Sequence, residues 1–382
     1  MFYFRFVKKF FLCLALLFCV YTGCNAGSKC SVELVPVDTL EKYVKYYFDK
    51  TSGQSYFIEE HKTGGYKIDS LSFYNQDLTQ KLFSINIGFE TATKRYNIIS
   101  LDSIIAISGS GSATFCLIHF GRDGIVNSWT LLNVFKEQSC RIFPNPDPPV
   151  IIGKDLYYLL TPFFCPSYAT FKDPIHYDKI EEFFGTQKSM AKIQFDGNDS
   201  IVNPQRFINF PKSYFQDSSI CPGFNFNSFT SNSNNEIIFS FGEFDSVIVF
   251  KDGKEKKYLA KSKYISVPHL RKFAGENIDD KYKGTYPNII YDSHRDLYYR
   301  IVKHPSTAPE DDVLLQEFEK PWSFVILNNK FEQVDEIYFS GEERLDKKFS
   351  VLPQGLLFTK HIDNGLFEEP TELYILHKII IK

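Results

Sequence analysis

Residues that favour long helices are scarce in this 382-residue chain: it has two Met, and Ala is sparse. The bias therefore runs against a helical bundle. Blocks of one charge are missing too. The 43 Lys and Arg are set against 46 Asp and Glu, with neither sign gathered into a stripe, which speaks against nucleic acid as a partner. No two Cys have the CxxC spacing of a zinc or redox site, and no two of the eight His lie within four residues of each other. A helical zinc motif is thereby absent and no cofactor is implied. The sequence contains no G-x-S-x-G elbow, phosphate-binding loop or dinucleotide fingerprint, so enzyme status stays open and leans toward none.

What is present is apolar and aromatic. Hydrophobic residues make up 43% of the chain and aromatics 17%, with 39 Phe and 23 Tyr, enough to fill a large core and to exclude disorder. Phe, Tyr, Ile and Val dominate, and these are strand formers. The composition points to an all-β body.

The first thirty residues stand apart. Arg5, Lys8 and Lys9 precede an apolar run from Phe10 to Tyr21 that ends at Thr22-Gly23-Cys24. A run of that length falls short of the roughly 20 apolar residues that span a bilayer and has the form of a secretory signal. Tyr21-Thr22-Gly23-Cys24 resembles the bacterial lipobox, which implies a signal peptide over residues 1–23, lipidation of Cys24, a short linker over 24–30 and a mature domain over 31–382. The competing reading is ordinary signal cleavage near Ala26. A lipid anchor attaches a protein to a membrane rather than threading it through. Asn25 to Lys29 carry no acidic run of the kind that marks surface export in Bacteroidetes lipoproteins, so a cell-envelope position facing the periplasm is slightly favoured. Cys30, Cys116, Cys140, Cys165 and Cys221 remain in the mature part. Their number is odd, so at least one stays unpaired, although the exported compartment permits disulfides.

Period-two runs bounded by turn residues recur through the mature chain at a spacing of roughly 45 to 60 residues. The clearest unit runs from Asp102 through Ile104–Ser108, Thr114–Phe120, a Gly-Arg-Asp-Gly turn and Ile125–Leu132. Another runs from Asp292 through Leu297–Val302, Trp322–Leu327, an Asn-Asn-Lys turn and Phe331–Phe339. Weaker copies start at Ser55, Asp155, Glu236 and Gly355, giving six. Units of three or four strands cannot bury both faces alone, and a six-bladed β-propeller satisfies that need by packing each against the next. The last unit is short of a strand, and Ser31–Val37, just after the anchor, is expected to supply it by closing the ring. The alternative is a β-sandwich with a second β domain.

Tyr291-Asp292 leading into Leu297-Tyr298-Tyr299-Arg300, and Phe324-Val325-Ile326-Leu327 followed by a turn and Phe331, together with Thr22-Gly23-Cys24, resemble an uncharacterised family of Bacteroidetes lipoproteins, a domain of unknown function related to six-bladed β-propellers. The resemblance implies the fold and the anchor. It carries no assigned activity.

Candidate sites are few. Arg300 lies in an otherwise apolar run expected to be the innermost strand of its unit, where a cation needs a partner or water. With Tyr298, its same-face neighbour, it would grip an anionic or sugar ligand at the channel; an ion pair between blades is the simpler alternative. Tyr168 represents the aromatics of a long insertion, Thr161 to Ser189, suited to stacking on sugar rings or to burial under a lid. Asp292, His294 and Asp296 are read as a turn rather than a metal site. Glu59-Glu60 and the other adjacent acid pairs are read as solvated surface, and Gly109-Ser110-Gly111-Ser112 as a flexible connection. Asp-Ser/Thr followed by an aliphatic residue occurs at Thr39, Ser70, Ser103, Ser200 and Ser246, resembling the O-glycosylation acceptor of exported Bacteroidetes proteins; it is also a natural turn into a strand. The expected function is a membrane-anchored, non-catalytic binding or scaffold propeller with a glycan, glycopeptide or protein ligand. The alternative is a hydrolase or lyase with its site at the channel mouth.

Overall fold

The computed structural model describes residues 30–39, 44–49, 52–63, 67–75, 80–87, 93–110, 114–130, 140–141, 148–162, 188–196, 200–212, 220–221, 227–265, 271–272, 284–305, 320–340, 344–353, 355–361 and 372–381. Within them the secondary structure is almost all strand. Sheet one is built in sequence order from β2 (Val44–Asp49), β3 (Gln54–Thr63), β4 (Lys67–Tyr74) and β5 (Lys81–Asn86). Sheet two follows with β6 (Thr93–Ser100), β7 (Ser103–Ser110), β8 (Thr114–Gly121) and β9 (Gly124–Thr130). Sheet three holds β11 (Val150–Ile152), β12 (Asp155–Leu159), β14 (Lys188–Phe195) and β15 (Ile201–Asn209). Sheet four holds β17 (Ser228–Ser231), β18 (Ile237–Ser240), β19 (Ser246–Lys251) and β20 (Lys254–Leu259), and sheet five β22 (Thr285–Asp292), β23 (Leu297–Lys303), β24 (Trp322–Leu327) and β25 (Gln333–Phe339). A sixth sheet takes β26 (Arg344–Val351), β27 (Leu356–His361) and β28 (Glu372–Ile381) from late in the chain and β1 (Cys30–Thr39) from early in it. Two short ribbons pair residues of the connections: β10 (Cys140–Arg141), between sheets two and three, with β13 (Thr161–Pro162), between the second and third strands of sheet three, and β16 (Ile220–Cys221) with β21 (Arg271–Lys272), both between sheets.

Every pairing is antiparallel, and the alternation of side chains explains why the sheets stand next to one another. Leu297, Tyr299 and Ile301 of β23 pack toward Leu356 of sheet six. Their alternates Tyr298 and Val302 pack toward Ile238, Val247 and Val249 of sheet four. Each strand in such a position is buried on both faces, and all seven residues of β23 are buried. The same arrangement joins sheet one to two through Leu71, Ile85, Ala106 and Ile118, two to three through Ile105, Leu117, Tyr158 and Ile193, and three to four through Leu159, Met190, Phe239 and Ile248. Sheet six reaches sheet one through β26 and β2, where the Tyr46 amide donates to Ser350 Oγ. The result is an all-β propeller.

First strands lie nearest the common axis: neighbouring sheets approach through β17 and β22 and through β2 and β26. Fourth strands form the rim, and β20 is exposed along nearly its whole length. Leu297–Val302 is therefore the second strand of its sheet, which corrects the expectation that it is innermost. A continuous apolar run marks burial on two faces, and that holds for any strand between neighbouring sheets. The strand Ser31–Val37 expected to complete the last unit is β1, paired with β28 from Cys30↔Ile381 to Thr39↔Leu373.

The two ends of the sheets differ. Turns between first and second strands and between third and fourth strands are short, and the β19–β20 turn has Asp252 and Gly253 at φ of 49° and 76°, a conformation that Asp-Gly adopts readily. At this short-turn end Arg295 ties sheet five to sheet six: it meets Asp292 Oδ2 at 2.5 Å and donates to the carbonyls of Leu352 and Pro353. Replacing Arg295 with Ala is expected to lower stability by about 2 kcal/mol, since fully buried Asp292 loses its cation. Chemical denaturation measures this, and a loss below about 0.5 kcal/mol would show the clasp to be incidental.

Candidate functional site: the long-connection end

The described strands that flank residues 131–149, 163–187, 213–226, 266–283, 306–319 and 362–371 end and resume on the side opposite the short turns. Antiparallel order dictates this, because second-to-third links and links to the next sheet emerge on one side. Both ribbons lie among these links, so the connections also pair with one another. At the short-turn end, by contrast, the Phe48 ring of sheet one meets His294 of sheet five at 5.9 Å, past sheet six. The axis is narrow there. The long links of the chain thus meet the described strands at the other end.

Two polar clusters sit at that end. In the first, Glu60 near the end of β3 receives Lys45 Nζ at 2.5 Å and Lys62 Nζ at 3.1 Å, while the hydroxyl of Tyr96, from sheet two, donates to it at 3.0 Å. Burial would raise the Glu60 carboxyl, but the two ammonium groups outweigh it and bring it down to about 2. Lys45 also lies over the Tyr96 ring, 4.2 Å from its centre. Glu59 points to the other face and accepts from the Tyr74 hydroxyl at 2.7 Å. The expectation of a solvated Glu59-Glu60 pair is corrected: both carboxylates are largely covered, and specific donors make that burial tolerable.

The second cluster joins sheets four and five. Glu336 Oε1 accepts from Ser262 Oγ at 2.5 Å and from Ser323 Oγ at 2.6 Å, and Oε2 accepts from the Lys263 amide at 2.7 Å. His304 Nε2 lies 3.0 Å from Ser323 Oγ. The one hydroxyl proton of Ser323 goes to Glu336, so Nε2 must be the donor to Ser323 and Nδ1 is left with a lone pair. Nδ1 is buried and has no hydrogen-bond partner among the described residues. Tyr264 and Tyr338, each nearly half exposed, pack their rings on His304 with centroids 5.5 and 5.3 Å away. Burial lowers His304 from 6.5 to about 4. Because Ser323 donates to the carboxylate rather than to the imidazole, this is not the geometry of an activated serine nucleophile.

The sequence-derived candidates fall in several places. Arg300 is fully buried between sheets four and five. Its Nε donates to Ser240 Oγ at 2.9 Å, Nη1 to the Ala260 carbonyl at 2.8 Å, and Nη2 to the carbonyls of Phe241 at 3.1 Å and Phe244 at 2.5 Å. The guanidinium also stacks on the Tyr286 ring, 3.6 Å from its centre. Tyr298 shares that face; its hydroxyl accepts from Asn232 Nδ2 at 2.8 Å and its ring stacks on Phe331. Both side chains are committed to packing between sheets, so the two do not meet at an open channel. Asp292, His294 and Asp296 diverge as a turn: Asp292 Oδ1 accepts the amides of His294 and Arg295, while Asp296 accepts from Tyr291 and Asn329. No group of three metal-binding side chains occurs among the described residues. Gly109 and Ser110, expected in a connection, end β7 and pair with Phe115 and Thr114.

Of the Ser/Thr positions, Ser200 is exposed after the β14–β15 turn, Ser103 is half-buried and bonded to His119 Nε2 at 2.9 Å, and Ser70 and Ser246 are half-buried within strands. Thr39 ends β1. Tyr168, Cys24 and the 1–23 segment lie outside the described residues. No described helix is long and apolar enough to cross a membrane. The Ser262, Ser323, Glu336 and His304 cluster was missed from sequence because its members are spread over seventy-odd residues and only sheet pairing unites them.

No family profile matches the chain, and no curated protein matches it by sequence. Among solved structures, a member of the DUF4221 family from Bacteroides vulgatus shares the fold over 92% of this chain and 99% of its own, with TM-score 0.69 and 19% identity. A luciferin-regenerating enzyme aligns over 91% and 95% of the two chains at TM-score 0.42 and 9% identity. A protein of unknown function from Bacteroides caccae aligns over 78% and 84% at TM-score 0.37 and 9% identity. The first likeness establishes the β-propeller fold.

Proposed function

We propose that the chain is a six-bladed, membrane-anchored binding propeller akin to the DUF4221 proteins, secreted through residues 1–23, lipidated at Cys24 in the cell envelope, and non-catalytic. The observation that carries the reading is the unequal pair of ends: the longest links of the chain leave and rejoin the described strands on one side, while the turns are short on the other, where Phe48 meets His294. A rigid ring presenting loops on one end is a recognition platform, although fold alone does not choose the ligand. A glycan or glycopeptide is the leading class, because the half-exposed Tyr264 and Tyr338 at this end offer aromatic faces to sugar rings. A protein ligand is the next.

Screening the domain from Ser28 onward against a glycan panel tests this. Binding that weakens at least tenfold in Tyr264→Ala, Tyr338→Ala or Tyr168→Ala supports it. Binding indifferent to all three moves the site elsewhere, and absence of any hit favours a protein partner. A stoichiometric cation held by three or more side chains would turn the reading toward a hydrolase or lyase.

A further inference from the structure

We infer that the short-turn end and the adjoining rim of sheet six face the lipid leaflet, and that the long-connection end faces away from it. The inference rests on the anchor reading of Cys24 and adds the direction in which the propeller is held. β1 is the rim strand of sheet six, and its first residue, Cys30, pairs with Ile381, the last residue of β28. That pairing sets Cys30 at the level of the β26–β27 turn near Leu352, since β28 and β26 both end there. The strand then runs upward, and Thr39 lies at the long-connection end.

Cys24 precedes Cys30 by six residue steps (30 − 24), so the tether spans at most about 20 Å when fully extended. β1 has ten residues and, at about 3.3 Å per residue, rises roughly 30 Å. Turning the long-connection end onto the bilayer would lift Cys30 by the height of the strand, beyond the reach of the tether. Inversion is therefore barred by chain length, whatever the surface attraction. Among the described residues the exposed short turns carry both signs, with Arg122, Lys154 and Lys330 among Asp123, Asp196 and Asp252, so no one-signed patch occurs among them to pull this end onto anionic lipid. Tether length alone brings this end to the headgroup layer, and a ligand arrives from the aqueous side.

The test uses the full-length lipidated protein in phosphatidylcholine vesicles containing a headgroup energy acceptor. A fluorescent amino acid is incorporated at Asn329, in a short turn, or at Lys263, at the other end; both positions are exposed. Energy transfer is expected to be several-fold stronger from Asn329. Equal or reversed transfer overturns the inference. Insertion of twenty Gly-Ser residues after Cys24 should erase the difference, and a difference that persists would show that adhesion rather than the tether sets the direction, overturning the argument. A chain starting at residue 24 and coupled to a lipid through its N-terminal amine separates the two readings. If it shows the asymmetry while the native protein carries no lipid and is not retained, the anchor reading has failed and the geometry stands. If it is retained without asymmetry, the geometry has failed.

Discussion

Arg300→Ala is expected to lower folding stability by about 3–5 kcal/mol, because hydrogen bonds to a charged group are each worth about 1.5–3 kcal/mol and the buried acceptors are left without this donor. Four donated hydrogen bonds disappear, and the carbonyls of Phe241, Phe244 and Ala260 lose this donor at the junction of sheets four and five. The Tyr286 ring loses the guanidinium stacked on it. Arg300→Met restores much of the volume but none of the donors, and Arg300→Lys offers a point charge where a planar fork serves three carbonyls, two in the β18–β19 link and one just after β20. Both should remain at least about 2 kcal/mol below the wild type in guanidinium unfolding. A loss under about 1 kcal/mol for Arg300→Ala would mean that the two sheets are held by their apolar cluster alone.

Stability is also expected to fall by about 3 kcal/mol between pH 6.5 and pH 4 on account of His304. Burial lowers the folded-state pKa from 6.5 to about 4, so in that window the unfolded chain takes up a proton that the folded chain refuses. The contribution is fully present above pH 6.5 and is lost as the pH falls toward 4, at about 1.4 kcal/mol per unit. The structural reason is the tautomer: a proton added at Nδ1 finds no acceptor among the described residues, beneath the rings of Tyr264 and Tyr338. Urea unfolding at several pH values, compared with His304→Gln, isolates the effect from the carboxylates. Parallel curves for the two proteins would remove His304 as the cause.

Much of the architecture was legible in the sequence, and the part that was not has a pattern. The recurring units begin at strands such as Ser55–Glu60, Asp155–Leu160 and Glu236–Phe241, and these are second strands. Their apolar runs are clean because neighbouring sheets cover both faces. First strands were passed over. They are short or mixed in character, as in the three residues of β11 or in β22, where Thr285 and Asn288 interrupt the apolar positions. Near the axis a strand is pressed by its neighbours' backbones as much as by their side chains, so polar residues persist there: Ser228 Oγ donates to Asn288 Oδ1 at 2.7 Å across the junction of sheets four and five. Arg300 stands out in the sequence as an ion in an apolar strand, yet spacing alone could not reveal that backbone carbonyls from another sheet surround it. The Glu60 and His304 clusters were invisible for the same reason, since their members come together only in the fold.

The pairing of β1 with β28 has a consequence for how the molecule comes into being. Sheets one to five are each made from a continuous stretch of chain and can form as soon as that stretch is available, whereas the sixth needs residues near both ends. Until Glu372–Ile381 emerges, Cys30–Thr39 has no partner and remains an edge open to pairing with other chains. Contacts between such distant segments carry the largest loop-closure cost and are expected to form last. During synthesis the first of these strands to emerge is thus the last to be secured, and a chain stalled before its final strand is the species most exposed to aggregation.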